Sequence, residues 1–185
     1  NTYFASTNGK MYTYPTIDLP EGYEPTEKYW FKDARAMDGK VYWNEPYEDI
    51  VTGDLTISAF KSVEDDGEFI GVIGIDISLK ELSRSMSNID VGREGYIFIV
   101  DKNGKVIAHP DQELIGTTKP VEQSYWKDMQ VNNQGFESYE YEGKDKFLSY
   151  TTNDATNWKV VASMEEEELI KDTNIIKDFT IFGLS

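Results

Sequence analysis

The 185-residue chain has no cysteine and a single histidine, His109. Without thiols it has no disulfide, no thiolate zinc site, no iron–sulfur cluster and no cysteine nucleophile. One histidine leaves little for a histidine metal centre or a conventional catalytic triad. The sequence also lacks the G-x-S-x-G, P-loop, H-E-x-x-H and Rossmann motifs. We therefore expect a protein that holds no cofactor and no metal and is not an enzyme.

Positive charge is scarce as well, since 18 Lys and Arg stand against 34 Asp and Glu, which gives a formal net charge of −16. Such a surface repels phosphate backbones, which excludes nucleic-acid binding by counterion release. It also disfavours attachment to anionic lipid through a basic face. Hydrophobic residues still make up 39% of the chain and aromatic residues 14%, which is enough for a folded core. The length fits one large domain or two small ones.

No signal peptide or spanning helix is visible, but the chain starts at Asn1, without Met and inside a predicted strand. This start indicates a piece of a longer protein, so the missing targeting signals carry little weight. Near the other end, the ten residues 175–184 (IIKDFTIFGL) are largely apolar. Ten residues cannot span a bilayer, yet residues 179–185 fit the start of a transmembrane helix. The alternative is an ordinary amphipathic C-terminal helix.

The sequence repeats itself once. Residues 7–15 (TNGKMYTYP) and 102–110 (KNGKVIAHP) share one pattern at a separation of 95 positions. Each copy has Asn-Gly between two apolar runs, which predicts a β-hairpin with a type I′ turn. A second motif is also repeated: YWFKD at 29–33 and YWKD at 125–128 each stand at the start of a short helical pattern. The order of hairpin, helix, strands and helix therefore occurs twice.

Further strands are predicted from short β-branched or aromatic runs bounded by turn residues. They cover residues 40–43, 55–60, 69–77, 95–100, 135–141, 146–151 and 158–164, and helices are predicted at 79–86 and 165–177. This pattern is typical of an α+β fold of two tandem modules, each an antiparallel sheet flanked by helices. We place the modules at 1–88 and 91–178, with a joint at 90–92, and the first module looks truncated at its N-terminus.

Asp76 is the residue that most strongly points to a binding site. It interrupts the apolar strand 72–77 (VIGIDI), where alternation places Val72, Gly74 and Asp76 on one face. A buried, unpaired carboxylate is costly, so Asp76 must reach water or meet a cation. Aromatic residues are dense between Tyr23 and Tyr47, and Tyr23 itself lies in a loop. Aromatic walls around a carboxylate suit an ammonium ligand.

Five segments, taken in order, resemble the double Cache (dCache) extracellular sensor domain of bacterial chemoreceptors and sensor kinases. They are residues 20–25 (PEGYEP), 29–34 (YWFKDA), 39–49 (GKVYWNEPYED), 71–78 (GVIGIDIS) and 95–104 (GYIFIVDKNG). The resemblance implies two PAS-like modules stacked on a long N-terminal helix, which this chain lacks. It also implies that the first module is membrane-distal and binds the ligand.

The resemblance extends to a subgroup that binds α-amino acids, and it assigns residues to that site. Tyr23, Trp30, Tyr47 and Asp76 fall on the subgroup's positions, with Asp76 taking the ammonium group of the ligand. Lys28 stands at the arginine position and Phe31 where a tyrosine is common; with Asp49 they complete the predicted set. Since Arg grips a carboxylate with a bidentate fork and Lys offers a point charge, an amino acid leads and an amine without a carboxylate competes.

The function implied is a small-molecule sensor on the extracellular or periplasmic side of a transmembrane signalling receptor, for chemotaxis or a sensor kinase. Such receptors are membrane-tethered and commonly work as homodimers. Two alternatives are an exported hydrolase or lyase that uses Asp49 and Asp76 as acid and base, and a spacer that binds no small molecule. The second module is predicted to have no comparable site, because no acid interrupts its strand at 160–164.

Overall fold

A computed structural model describes residues 1–49 and 52–170 of the chain. Contacts between residues divide the chain into two compact units, Asn1–Leu79 and Lys80–Ser185. In both units the strands form an antiparallel sheet, accompanied by short helices. The α+β class predicted from the sequence is confirmed.

The first unit contains one sheet and one α-helix. Its elements are β1 (Thr2–Ser6), β2 (Met11–Tyr14), the 3-10 turn Pro25–Glu27, α1 (Tyr29–Ala36), β3 (Tyr42–Trp43), β4 (Tyr47–Glu48), β5 (Leu55–Asp65) and β6 (Glu68–Ser78). The strand order is β2-β1-β6-β5-β3, and β4 also pairs with β5. The two long strands β5 and β6 therefore lie at the centre, and the N-terminal hairpin extends the sheet beside β6.

The second unit repeats this arrangement. After α2 (Leu79–Met86) come β7 (Tyr96–Val100), β8 (Val106–Ala108), the 3-10 turns Gln112–Leu114 and Lys119–Glu122, α3 (Trp126–Met129), β9 (Gln134–Tyr141), β10 (Lys144–Thr152) and β11 (Lys159–Glu165). The strand order β8-β7-β11-β10-β9 matches that of the first sheet position by position. Strand β11 ends at residue 165, and a helix follows at residues 166–170, the last residues that the structure describes. This helix begins one residue later than the helix predicted at 165–177.

The two hairpins that revealed the repeat have the same turn. The backbone N–H of Gly9 donates to the Ser6 carbonyl at 3.1 Å, and that of Gly104 donates to the Asp101 carbonyl at 3.0 Å. Both glycines have a positive φ, +83° and +80°, whereas the asparagine before each of them does not. A type I′ turn needs a positive φ at both central residues, so that prediction is wrong. The pattern fits a type I turn followed by a left-handed glycine, which Asn-Gly also accommodates.

The boundary between the units differs from the predicted joint at 90–92. The contacts place it between Leu79 and Lys80, which assigns nearly all of α2 to the second unit. A hydrogen bond provides a physical reason: the backbone N–H of His109 donates to Oγ of Ser83, a side chain of α2 that is 2% exposed. Local sequence pattern identifies α2 as a helix but not the residues against which it packs.

Each unit has its own apolar core next to its sheet. In the first unit Trp30, Phe31 and Ala34 of α1 cluster with Phe60 and Val72 of the central strands. The second core joins residues of α3 to residues of β7, β10 and β11, and its buried members include Trp126, Met129, Phe98, Leu148 and Val161. The paired YW motifs therefore bring an equivalent tryptophan into each core.

The C-terminal prediction falls outside the part of the chain that the structure describes. Residues 179–185, the candidate start of a transmembrane helix, belong to the undescribed stretch 171–185. Within residues 1–49 and 52–170, no helix has both the length and the apolar character that crossing a bilayer requires.

Candidate functional site

Strand β6 carries the candidate site on its buried face. Val72 is fully buried, whereas Ile73 and Ile75 are 40% and 46% exposed, so the predicted alternation is confirmed. Asp76 is half-buried on the same face as Val72. Gly74 lies one pleat away on the same face, and its missing side chain would leave space beside the acid. That space is filled by the ring of Tyr3, because a Cβ on Gly74 would lie 2.3 Å from Cε2 of Tyr3.

Two hydroxyl groups hold the Asp76 carboxylate. Tyr3 donates to Oδ1 at 2.9 Å and Ser58 donates to the same oxygen at 2.7 Å. Sheet register explains both contacts: Ser58 on β5 lies directly opposite Asp76, and Tyr3 on β1 lies opposite Gly74. Among the described residues, Oδ2 accepts no hydrogen bond, and no lysine or arginine forms a salt bridge with Asp76.

Tyr47 and Asn44 extend this network. The hydroxyls of Tyr47 and Ser58 are 3.0 Å apart. Because the single hydroxyl proton of Ser58 is donated to Asp76, Tyr47 must be the donor in that pair. The backbone N–H of Ser58 in turn donates to Oδ1 of the buried Asn44 at 2.7 Å. The orientation of Ser58 towards the acid is thus fixed from both its backbone and its side chain.

The tyrosine hydroxyls around Asp76 are electrostatically coupled to it. Burial is the largest cause that raises the pKa of Tyr3, and the negative charge of Asp76 raises it further. Burial also raises the pKa of Tyr47 to about 12, again with a contribution from Asp76. The pKa of Tyr23 is raised by burial and by Asp76, and a hydrogen bond with Trp30 opposes the shift. Three tyrosines are therefore protonated hydrogen-bond donors near one carboxylate.

A loop and the start of α1 bring Tyr23, Lys28 and Trp30 to the same region. Nζ of Lys28 lies 4.6 Å from the centre of the Tyr23 ring, a cation–π contact. Trp30 is 7% exposed, and its ring meets that of Tyr3 edge to face at 5.6 Å. The 3-10 turn Pro25–Glu27 precedes Lys28 and fixes the path of the loop. Of the predicted residues, Tyr23, Lys28, Trp30, Tyr47 and Asp76 thus belong to one connected cluster.

Phe31 and Asp49 have other surroundings. Phe31 is 4% exposed and packs edge to face on Phe69, with ring centres 5.7 Å apart, inside the core of the unit. Asp49 Oδ1 accepts hydrogen bonds from both N and Oγ1 of Thr52, which closes the turn after β4. Its charge still raises the pKa of Tyr47. These two residues therefore have structural roles that are visible in the fold.

Tyr3, Ser58 and Asn44 belong to the cluster although no sequence motif marks them as site residues. Tyr3 lies in the N-terminal hairpin, where the sequence shows a repeat but no sign of a binding site. Ser58 lies inside an apolar strand. A period of two places Ser58 on the same face as Thr56 and Phe60, both buried, and that signal marks it as an inward-facing hydroxyl. Its meeting with Asp76 depends on the pairing register of β5 and β6, which no local pattern specifies.

The equivalent position of the second unit is neutral. Register in the two sheets aligns Asp76 with Ser163 of β11, which is fully buried and bonded to the Tyr139 hydroxyl at 2.8 Å. The carboxylate-centred cluster thus occurs once among the described residues. A half-buried acid, three tyrosine hydroxyls and an indole suit a ligand with a cationic, hydrogen-bond-donating end.

Comparison with known proteins identifies the family. The family model of the Cache domain, in its double form, matches residues 1–173. The chain belongs to this dCache family. The methyl-accepting chemotaxis protein TlpB of Bacillus subtilis (strain 168) is 36% identical to this Cache domain, over 90% of the chain and 24% of TlpB. The chain spans about a quarter of the length of its first relatives.

Solved chemoreceptor domains share the fold. The ligand-binding domain of CtaA from Pseudomonas fluorescens, in complex with L-serine, is 27% identical with a TM-score of 0.70, and the match covers 90% of this Cache domain and 72% of that chain. The ligand-binding domain of PctC from Pseudomonas aeruginosa PAO1, in complex with GABA, is 27% identical with a TM-score of 0.67, covering 89% and 73%. The tandem PAS-like architecture predicted from the sequence is therefore confirmed.

Proposed function

We propose that this Cache domain is the ligand-binding domain of a chemoreceptor and that it binds an α-amino acid in its first unit. The observation that carries the proposal is the Asp76 carboxylate, which Tyr3 and Ser58 hold through Oδ1 while Oδ2 accepts no hydrogen bond from the described residues. A preorganised anion beside aromatic rings is the receptor that an ammonium group requires. The related CtaA domain in complex with L-serine supports an amino acid as the ligand.

Each member of the cluster has a role in this proposal. Asp76 accepts hydrogen bonds from the ligand ammonium, and the rings of Tyr23 and Trp30 add attraction of about 0.5 to 2 kcal/mol each. Tyr47 donates to Ser58 and so helps to orient the acid. Lys28, next to Tyr23, is the cation available for the carboxylate of the ligand. Phe31 and Asp49 act through packing and turn closure rather than through direct contact.

The whole receptor is proposed to expose this domain on the extracellular or periplasmic side of the membrane. The relatives are methyl-accepting chemotaxis proteins about four times longer than this chain, so the output lies outside it. Signalling then requires only that the ligand favour one arrangement of the receptor over another. A membrane-tethered homodimer is the proposed assembly, and no catalytic step is part of the proposal.

Calorimetric titration of the chain with amino acids and with amines lacking a carboxylate tests the proposal. Asp76→Ala is expected to weaken the best ligand by about 2 to 5 kcal/mol, or roughly 30- to 4000-fold, because the ammonium loses its partner. Asp76→Asn, which keeps an acceptor for Tyr3 and Ser58, shows whether the loss comes from charge. Binding of the parent affinity in both variants would place the site elsewhere.

Lys28→Ala separates the two ligand classes. For an α-amino acid it weakens binding, whereas for an amine it is neutral or favourable because it removes a like charge. Lys32→Ala is the matched control, since Lys32 lies on α1 four residues after Lys28, is 58% exposed and pairs with Glu27 at 2.9 Å. Turnover of any ligand to product would contradict the sensor assignment and favour the enzyme alternative. A flat response across the whole panel would favour a spacer.

A further inference from the structure

Asn44 lies at a break in the edge of the first sheet. Strands β3 and β4 both pair with β5, but three residues, 44–46, separate them where β5 has only two, 57 and 58. One extra residue on a strand is a bulge, which bends the chain away from its partner. Pro46 suits this break, because it has no backbone N–H to donate to the sheet.

The side chain of Asn44 completes the hydrogen bonding of the sheet at this break. The backbone N–H of Asn44 donates to the Ser58 carbonyl at 3.1 Å, which is one half of a regular antiparallel pair. In the other half a backbone carbonyl would accept the Ser58 N–H, but here Oδ1 of Asn44 accepts it, at 2.7 Å. The chain can therefore leave β5 after Asn44 without leaving an unpaired N–H on Ser58, which is fully buried.

The amide group of Asn44 has a fixed orientation. Its oxygen must face the Ser58 N–H, so Nδ2 is the group that donates to the Tyr29 hydroxyl, in a long hydrogen bond of 3.4 Å. Asn44 is 5% exposed, whereas Tyr29 lies at the exposed start of α1, between Lys28 and Trp30. Asn44 thus connects the start of this helix to the strand that carries Ser58.

Two hydroxyl groups that lead to the Asp76 carboxylate depend on this break. Ser58 donates to Asp76, and the backbone of Ser58 is held by Asn44 through both its N–H and its carbonyl. Tyr47, whose hydroxyl lies 3.0 Å from Oγ of Ser58, is the first residue of β4, directly after the break. With one residue fewer in the break, Tyr47 would lie opposite Leu55 and point to the other face of the sheet.

We propose that Asn44 is a positioning residue of the ligand site, which sets ligand affinity through Ser58 rather than by touching the ligand. By taking the place of its own backbone carbonyl it holds Ser58 in register and lets the bulge bring Tyr47 to the face of Asp76. An amide suits this role, because it offers Ser58 an acceptor without adding a negative charge to the network. This inference rests on the proposed function, since binding at Asp76 is the property that Asn44 sets.

A double-mutant cycle with Ser58→Ala tests the proposal. Calorimetry with the standard L-amino acids first finds the tightest binder of the parent chain, which then serves as the probe. Asn44→Ala removes the acceptor of the Ser58 N–H and should weaken the probe about tenfold or more. In the Ser58→Ala background no hydroxyl remains to be positioned, so Asn44→Ala should change the affinity by less than about twofold. The urea midpoint should fall by a similar amount in both backgrounds, since residue 58 keeps its buried N–H.

Three further variants separate positioning from a general loss of stability. Asn44→Asp keeps the shape and the acceptor, so its affinity should stay within about threefold of the parent value. Asn44→Gln places the amide one methylene further out and should behave as Asn44→Ala does, which keeps the cycle measurable if the alanine variant does not fold. Tyr139→Phe loses a buried hydrogen bond of the second unit and should leave the affinity unchanged. Far-UV circular dichroism checks that each variant is folded.

The outcomes distinguish this inference from the proposed function. Parent affinity in Asn44→Ala or Asn44→Gln, or an equal loss of affinity in the Ser58 and Ser58→Ala backgrounds, would overturn the positioning role. A loss in Asn44→Asp as large as that in Asn44→Ala would overturn it as well. Parent affinity in Asp76→Ala, or no binding of any amino acid to the parent chain, would instead overturn the proposed function, and the role of Asn44 with it.

Discussion

Gly74→Ala is the substitution whose effect follows most directly from the structure. The new methyl group would lie 2.3 Å from Cε2 and 2.9 Å from the hydroxyl oxygen of Tyr3. Tyr3 cannot easily yield, because it packs on Trp30 and Phe60 and donates to Asp76. Overpacking costs about 1 to 3 kcal/mol, and a lost hydrogen bond to a charged acceptor about 1.5 to 3 kcal/mol. We expect a total loss of roughly 2.5 to 6 kcal/mol in the free energy of unfolding.

Urea unfolding of a double-mutant cycle with Tyr3→Val measures this effect. Valine keeps a β-branched residue in β1 but has no ring above residue 74. In that background Gly74→Ala should be nearly neutral or stabilising, since alanine loses less backbone entropy than glycine. The coupling energy should therefore exceed about 2 kcal/mol, with similar m-values. An equal loss in both backgrounds would refute the idea that the Tyr3 ring occupies the space beside Asp76.

Three further predictions concern other contacts. Tyr139→Phe should lower the free energy of urea unfolding by about 1 to 3 kcal/mol, because the buried Ser163 hydroxyl loses its partner. Tyr47, whose pKa in the fold is raised from 10.0 to about 12, stabilises the fold fully below pH 10 and loses that contribution as the pH rises towards 12. Unfolding curves at increasing alkaline pH should therefore fall less steeply for Tyr47→Phe than for the parent, while Tyr12→Phe, at an exposed tyrosine, leaves the slope unchanged. Phe31→Leu should lower the free energy of unfolding by less than about 1.5 kcal/mol and leave ligand affinity at the parent value, which calorimetry checks. A large loss of affinity would mean that Phe31 contacts the ligand.

The internal repeat shows which features of the fold can be predicted from local sequence pattern. Two Asn-Gly hairpins separated by 95 residues predicted a duplicated module, and both sheets have the same strand order. Alternation in residues 72–77 predicted which face of β6 carries Asp76, and the exposures of Ile73 and Ile75 agree. Both inferences depend on geometry within a few neighbouring residues. The predicted turn type was wrong because Asn-Gly fits more than one kind of hairpin loop.

The surroundings of Asp76 were decided by tertiary structure. Strand β1 brings Tyr3 across Gly74, and β5 brings Ser58 opposite the acid, from positions 73 and 18 residues away in sequence. Tertiary packing likewise placed Phe31 in the core.

The amino-acid sequence by itself determined the class of fold, the repeat and the face of strand β6 that carries Asp76. A period of two fixes the face of a strand, because successive side chains point to opposite sides. It does not fix which strand lies alongside or in which register, since those depend on the burial of the whole sheet. The hydroxyls that hold Asp76 therefore come together only once distant strands have packed against one another.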